Sequence, residues 1–518
     1  MREVAQWTVF EVALESERTH EHPLWDVTVS VRFSGPDGER AVDAFWDGGR
    51  TWRARFSPDR PGEWRWRSQC ARDGGLDGRE GGFRCVPYAG ENPVYRHGPV
   101  QLSANRRHLV YADGTPFLWL ADTSWNGAIR SEPDDWALYL RTRRQQGFTA
   151  VQFVTTQWRA CSRDARGEVA YLDGAKVGVN PRWFQRLDAR FDAVNAYGLV
   201  AAPVVLWACV EGDPGRTLSL ENAARLARYI CARYGAHQAV WLLAGDGDYG
   251  GAAAERWRRI AAEALPATLP RLTTLHFCGQ SWPMDDLRHD EWLDFIGYQS
   301  GHGSSPKDVK WLVEGPPAQE WLKEPPRPII NLEPNYEGHP SYHAALAFDD
   351  RYVRRAFYWS LLIAPTAGVT YGNNSIWLWS TRTEVPEGHE WIGQVGPWRD
   401  GLEMPAMRSI GHLMRFFGGI PWWELRPAPE LLAAQPGAQD PDLFVAAART
   451  EDGTLAVLYT PRGGVLRTHT GPLRRPARAC WFDPREGLFS APIALTGDRQ
   501  DFKTPDARDW VLRIQSSG

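Results

Sequence analysis

From Trp7 to about Tyr88, apolar and polar residues alternate in short runs such as Trp25-Asp26-Val27-Thr28-Val29-Ser30-Val31. The turns Gly35-Pro36-Asp37-Gly38 and Asp47-Gly48-Gly49 break them. Alternation with period two turns one face of a run to a core and the other to water, so this segment predicts a β-sandwich. Arg60-Pro61-Gly62 leads into another alternating strand at Glu63-Trp64-Arg65-Trp66, and the Gly-rich stretch 74–82 predicts a loop before the last strand. After Asn92-Pro93 the pattern changes to short apolar runs separated by longer stretches of helical period, as in a parallel α/β domain. Eight strands are predicted, at 116–120, 150–154, 200–206, 239–243, 272–275, 293–296, 329–332 and 368–371. Helical stretches at 134–146, 181–197, 220–234, 252–265 and 352–363 lie between them. With no GxGxxG near the first strand, eight repeats favour a closed (β/α)8 barrel over a dinucleotide-binding sheet. From about Pro421, alternation returns at 443–448, 455–459 and 479–482, divided by Glu451-Asp452-Gly453 and Arg462-Gly463-Gly464. The expected fold class is therefore α/β: a (β/α)8 TIM barrel flanked by an N-terminal β-sandwich and a small C-terminal β-domain. The expected domains are 1–92, 93–420 and 421–518.

Composition narrows the function classes. A chain of 518 residues, 43% hydrophobic and 24% charged, is long enough for two or three folded domains. A formal net charge of -4 provides no basic field for a polyanion, which argues against a nucleic-acid partner. No run approaches the ~18 apolar residues of a membrane span, and Met1-Arg2-Glu3 opens no apolar leader. The chain as written is expected in the cytoplasm, or outside it if a leader has been removed. Twenty-seven Trp exceed ordinary packing needs, and flat aromatic faces are what sugar rings stack on. Seven Cys without CxxC or CxxH spacing point to no zinc site, although Cys70 and Cys85 are placed to bridge one hairpin. Nothing in the sequence sets the oligomeric state.

In a (β/α)8 barrel the working residues follow the C-terminal ends of the strands. Here those positions hold Asp122, Ser124 and Trp125; Gln157 and Trp158; Trp207; Asp246 and Asp248; and His276. Strand six is followed by Gln299, Ser300 and His302, strand seven by Glu333, Asn335, Tyr336 and Glu337, and strand eight by Asn373, Asn374, Trp377 and Trp379. Glycosidic cleavage needs two carboxyl groups. Asp246 and Glu333 are 333 - 246 = 87 positions apart, three repeats of about 29, which places them on opposite sides of one mouth. A retaining separation of about 5 to 5.5 Å is within reach there. Simpler roles stand beside each assignment. Asp246, between Gly245 and Gly247, also fits a turn, and Glu333 fits an ion pair with a nearby Arg. Asp248 and Glu337 fit supporting roles, Asn373 and Asn374 a chain turn, and Asp122 the holding of loops. His276 and His302 could share a metal, but no third ligand at metal spacing is evident, which favours hydroxyl contacts or structural roles.

Several of these stretches resemble one known family. Leu109 to Trp125 (LVYADGTPFLWLADTSW), Gly147 to Gln152 (GFTAVQ), Trp241 to Asp246 (WLLAGD), Gln299 to His302 (QSGH), Asn331 to Glu337 (NLEPNYE) and Tyr371 to Trp377 (YGNNSIW) are similar, in order, to the apiosidase-like catalytic domain of glycoside hydrolases. The resemblance departs at Ala244, where the family commonly has a second glycine. It implies a (β/α)8 hydrolase with Asp246 as acid/base and Glu333 as nucleophile. The flanks resemble the β-sandwich that often precedes this domain and the C-terminal β-domain that follows it, a domain labelled for collagen binding without that label being evidence of it. The expectation is a retaining, exo-acting glycosidase, with neither metal nor cofactor, that acts on an oligosaccharide or polysaccharide of plant or microbial origin. Asp122, Trp125, Gln157, Trp158, Trp207, His276, Gln299, His302, Tyr336, Asn373 and Trp377 are its expected substrate contacts. The alternatives are a carbohydrate-binding protein on a barrel without catalysis, and a metal-dependent hydrolase.

Overall fold

The computed structural model describes residues 1–386 and 388–516. Eight parallel strands form the centre: β1 (Trp119–Thr123), β2 (Ala150–Val154), β3 (Val200–Leu206), β4 (Trp241–Ala244), β5 (Thr273–Thr274), β6 (Ile296–Tyr298), β7 (Ile329–Asn331) and β8 (Gly368–Tyr371). They are ordered β5-β4-β3-β2-β1-β8-β7-β6, and a parallel bridge from His276 to Gly297 joins the two ends into a barrel. The helices are α1 (Pro133–Gln145), α2 (Pro181–Ala196), α3 (Leu220–Tyr234), α4 (Ala252–Ala264), the single turn α5 (Met284–Leu287), α6 (Pro306–Glu314), α7 (Asp350–Leu362) and α8 (Ala406–Gly418). Their starts are written locally. Pro opens α1, α2 and α6, where its missing N–H costs no helical bond. Asn180, Ser219 and Asp349 cap α2, α3 and α7, and Ser305 with Asp308 forms a capping box on α6.

Two predicted barrel strands are displaced. Pro116–Phe117 pairs antiparallel with Leu109–Tyr111 in a separate sheet, and β1 begins only at Trp119, so Asp122 lies within the strand. The sixth strand starts at Ile296 and not at Leu293, because Asp294 turns back to hold Thr273. No helix among the described residues is long and apolar enough to cross a membrane.

The N-terminal segment packs a five-stranded sheet against a three-stranded one, with Val31, Phe33, Trp64 and Phe83 in the core between them. Trp25 and Asp26 lie in a helical turn (Pro23–Asp26), and Gly81 and Gly82 already belong to the last strand (Glu80–Val86). Cys70 and Cys85, which could have bridged one hairpin, are both free and buried. The C-terminal segment is a sheet built around Leu455–Thr460, Trp510–Ser516 and Ala477–Asp483. Its first long strand is Ala446–Arg449, because Leu443 ends a 3-10 turn. It docks on α7, where Arg354 donates to Asp509 at 2.6 Å and Tyr358 stacks on Tyr459 at 4.7 Å.

A buried ion cluster fastens the N-terminal sandwich to the barrel. Asp188 on α2 accepts from Arg55 of the sandwich at 2.8 Å and from Arg233 on α3 at 2.6 Å, and Arg233 also reaches Asp47 at 2.8 Å. Burial pushes the Asp188 carboxyl up, but the two guanidiniums, Arg55 first, outweigh it and hold it at about 2. Its folded value is below its unfolded one, so this contribution is complete above about pH 4 and is lost as pH falls toward 2. Asp188→Ala leaves two buried guanidiniums short of a partner and is expected to destabilise the chain by about 3–5 kcal/mol, read by denaturant unfolding at pH 7. The difference between variant and wild type should shrink in unfolding curves taken below pH 4.

Candidate active site

The C-terminal ends of the strands open on a cavity of about 450 Å³. Its wall carries Trp125, Trp158, Trp207 and Trp377, each almost wholly buried so that only part of each ring reaches the cavity. Trp158 and Trp207 lie 4.2 Å apart and Trp125 stands edge-on to Trp207 at 5.0 Å. Side-chain amides fix two of them: Trp158 donates to Asn126 at 2.8 Å and Trp377 to Asn374 at 3.0 Å. Asp246, Gln299, His302, Glu333 and Tyr336 also face the cavity.

Asp246 follows β4 in a tight glycine setting. A Cβ on Gly245 would meet the Trp207 ring at 2.4 Å and one on Gly247 the Tyr249 ring at 2.6 Å, so both glycines let aromatic rings close on the backbone beside the aspartate. Asp248 points outward, exposed, 3.3 Å from the Ser281 hydroxyl. Glu333 follows β7, where Asn331 accepts from its backbone N–H at 3.3 Å and donates to Ser300 at 2.9 Å.

The two carboxylates meet around His276. Its ring is fully buried, with Nδ1 2.9 Å from Asp246 Oδ1 and Nε2 3.6 Å from Glu333 Oε2. Neither contact is aligned as a hydrogen bond, and all four atoms lack a hydrogen-bond partner among the described residues. Burial pushes the imidazole down, but Asp246 and then Glu333 outweigh it and raise its pKa, which favours an imidazolium between them. His302 is its opposite. Burial pushes that ring down to about 3, so it is neutral; its Nδ1 accepts from the Tyr336 N–H at 3.4 Å, and Nε2–H therefore donates to Glu333 Oε1 at 3.0 Å. One oxygen from each carboxylate and a His276 nitrogen lie within 4.8 Å of one another, spacing that would also hold a metal ion. The Tyr336 hydroxyl and Trp207 Nε1 beside the same cavity likewise lack a hydrogen-bond partner among the described residues.

Four expected contacts do not line the cavity: His276, fully buried between the two carboxylates, and Asp122, Gln157 and Asn373. Asp122 is fully buried and accepts from Arg143 at 2.5 Å and Tyr139 at 2.8 Å, and Arg143 goes on to Gly401 O at 3.0 Å. Gln157 ties down the loop after β2, donating to Tyr171 O and accepting from the Ala170 N–H. Asn373 caps the turn Asn374–Leu378 and donates to Gly401 O at 3.1 Å. Glu337 is buried and accepts from the Tyr371 hydroxyl and the Ala406 N–H, a supporting arrangement.

Other cavity residues were not singled out from the sequence. Arg159, directly after Trp158, lies over the Trp158 and Trp207 rings, 3.3 Å from buried Asp213 and 3.8 Å from Asp246. His339 stacks on His302 at 4.0 Å, and Tyr342 and Trp391, 48% and 55% exposed, form an aromatic rim beside it. The two rim aromatics come from the long loops after β7 and β8, and a rule that reads only the first few residues past each strand stops short of them.

Comparison with known proteins agrees with this layout. A family model described as the apiosidase-like catalytic domain matches residues 103–424. A domain of unknown function, DUF5060, matches residues 3–71, and a domain named for collagen binding in a collagenase matches 427–515. A solved structure named glycoside hydrolase is similar with a TM-score of 0.72 and 23% identity over 82% of this chain and 98% of its own. A structure named as a family 5 glycoside hydrolase from Bacteroides vulgatus has a TM-score of 0.73 and 21% identity over 82% of this chain and 95% of its own. At such identities the likeness shows the fold. No curated protein matches. With the family model spanning more than half of the chain and its barrel, the protein is a glycosidase and belongs to the apiosidase-like family of glycoside hydrolases.

Proposed function

We propose that Asp246 and Glu333 are the acid/base and the nucleophile of a retaining glycosidase. The observation that carries this is their spacing: facing oxygens within 4.8 Å of one another suit direct attack at the anomeric carbon, whereas an inverting pair stands roughly 6.5–9.5 Å apart to admit a water. Glu333 attacks the anomeric carbon while Asp246 gives its proton to the departing glycosidic oxygen. Water then attacks the glycosyl–Glu333 ester as Asp246 takes the water's proton, which frees Glu333 and restores both groups. The His276 imidazolium offsets the charge of Glu333 before attack and that of Asp246 once its proton has gone to the leaving oxygen, and His302 holds one Glu333 oxygen so that the other is free to attack. A cavity of about 450 Å³ suits one or two sugar residues better than a long polymer groove, which supports exo action on an oligosaccharide or polysaccharide end. Among plant and microbial glycans, the family description makes apiose-bearing side chains the first substrates to try.

Hydrolysis of a panel of aryl glycosides and pectic, arabinan and galactan oligosaccharides, followed by ¹H NMR of the first-formed anomer, tests the reading. Retention supports it; inversion removes it. His302→Phe keeps the ring's shape but takes the donor from Glu333, and is expected to lower kcat/KM roughly 10- to 100-fold, the value of one hydrogen bond to a charged group. A variant within twofold of wild type would show that this hydrogen bond contributes nothing to the rate.

A second reading follows from the metal-like spacing of Asp246, His276 and Glu333. In it an ion activates water. Incubation with a chelator separates the two: the carboxylate mechanism keeps its rate, and a metal-dependent hydrolase loses it.

A further inference from the structure

A second cavity, of about 470 Å³, lies at the other end of the barrel. His108 comes from the hairpin strand region before β1, Trp321 precedes β7, and Pro365 precedes β8, so these residues mark the N-terminal face, opposite the catalytic mouth. The C-terminal domain completes the wall with the Glu451-Asp452 turn, and the linker between domains adds Trp423 and Glu424. The cavity therefore exists only with that domain docked.

Its chemistry is that of a site for an uncharged, hydroxyl-rich ring. Trp321 and Trp423 are half-buried and offer aromatic surface. The Arg107 guanidinium lies 5.6 Å over the Trp321 ring, and Arg426 pairs with Glu451 at 2.6 Å. The Glu424 carboxylate is exposed and makes neither a hydrogen bond nor an ion pair among the described residues. His108 is 8% exposed and its Nδ1 has no hydrogen-bond partner. Burial pushes that imidazole down to about 4, so at neutral pH it presents one donor and one acceptor, which a hydroxyl matches and an anion does not. Two guanidiniums against three carboxylates likewise leave no net positive charge for an acidic ligand.

We propose that this cavity is a second, non-catalytic glycan site, which takes one or two neutral sugar residues between Trp321 and Trp423 and holds the chain on the polymer whose ends the barrel cleaves. The proposal rests on the carbohydrate reading of the protein but not on the assignment of Asp246 and Glu333. It gives the docked C-terminal domain a part in binding.

Native affinity gels containing soluble arabinan, galactan or arabinoxylan, with homogalacturonan as the acidic counterpart, are run with the full-length chain as wild type and as Glu333→Ala. At least one neutral polymer should retard both. The association constant should fall about tenfold in Trp423→Ala and in Trp321→Ala and recover in part in Trp423→Phe. Glu424→Gln, which disturbs no packing, should weaken it several-fold. Hydrolysis of a small aryl glycoside by Trp423→Ala should equal wild type, which also shows that the fold is intact. The site is overturned if no neutral polymer retards the protein, if both Trp variants bind as wild type does, or if homogalacturonan alone is bound. A wrong carboxylate assignment shows itself separately, as undiminished hydrolysis by Glu333→Ala with retardation unchanged.

Discussion

Glu333→Ala should lower kcat by on the order of 10⁵-fold on every substrate, whatever its leaving group, because both steps of the proposed cycle pass through that carboxylate. Such a loss corresponds to about 7 kcal/mol of activation free energy. It exceeds anything a packing change would cause. The side chain is nearly buried, and its backbone is held by Asn331 while His302 holds one oxygen, so truncation removes the reacting group and leaves its frame. Sodium azide provides the sharper readout. A small anion in the space left by the carboxylate attacks from the same side as Glu333 did, and the product is a glycosyl azide of inverted configuration. If Glu333→Ala turns over within tenfold of wild type, or azide gives no such product from an activated aryl glycoside, another group is the nucleophile and the site must be reassigned.

The sequence reached the frame of this site further than its furniture. Apolar runs of strand length alternating with helical stretches were enough for the barrel, because strand spacing and caps such as Asn180 and Ser305-Asp308 are local. The first strand was misplaced by about three residues for a non-local reason: Pro116–Phe117 is as apolar as a barrel strand, and only its antiparallel partner at Leu109–Tyr111 separates it from β1. Asp122 illustrates the same limit in chemistry. Its position near a strand end reads as functional, yet Tyr139 and Arg143, one turn apart on α1, both converge on it and carry its charge to the loop at Gly401. Two polar residues at i and i+4 facing inward on a barrel helix were the available signal. The four wall tryptophans were legible because each sits within a few residues of a strand end. His339, Tyr342 and Trp391 were not, since long loops bring them back over the mouth through ring contacts that leave no periodicity in the sequence.

Asp246→Ala should behave differently from Glu333→Ala, and the difference is what assigns the acid/base. For a sugar leaving group, which departs poorly without a proton, kcat/KM is expected to fall roughly 10³-fold, within the usual range of general acid catalysis. For a dinitrophenyl glycoside the leaving group departs as a stable anion, so formation of the glycosyl–Glu333 ester should change little. Its hydrolysis then slows, because no base remains to take the proton from water, and the ester accumulates as a burst of phenolate followed by a slow steady state. Azide needs no base. It should restore the steady-state rate and yield a glycosyl azide of retained configuration, the opposite of the product expected from Glu333→Ala. Asp248→Ala is the internal control: that carboxylate is exposed and turned toward Ser281, off the cavity, and its loss should leave both substrates within about twofold of wild type. Equal losses on the two substrates in Asp246→Ala, or a leaving-group-dependent loss in Asp248→Ala, would move the proton donor away from Asp246. Arg159 gives the position a further physical constraint. Its guanidinium lies 3.8 Å from Asp246 and 3.3 Å from buried Asp213, so one cation bridges the two aspartates and limits where the Asp246 side chain can move.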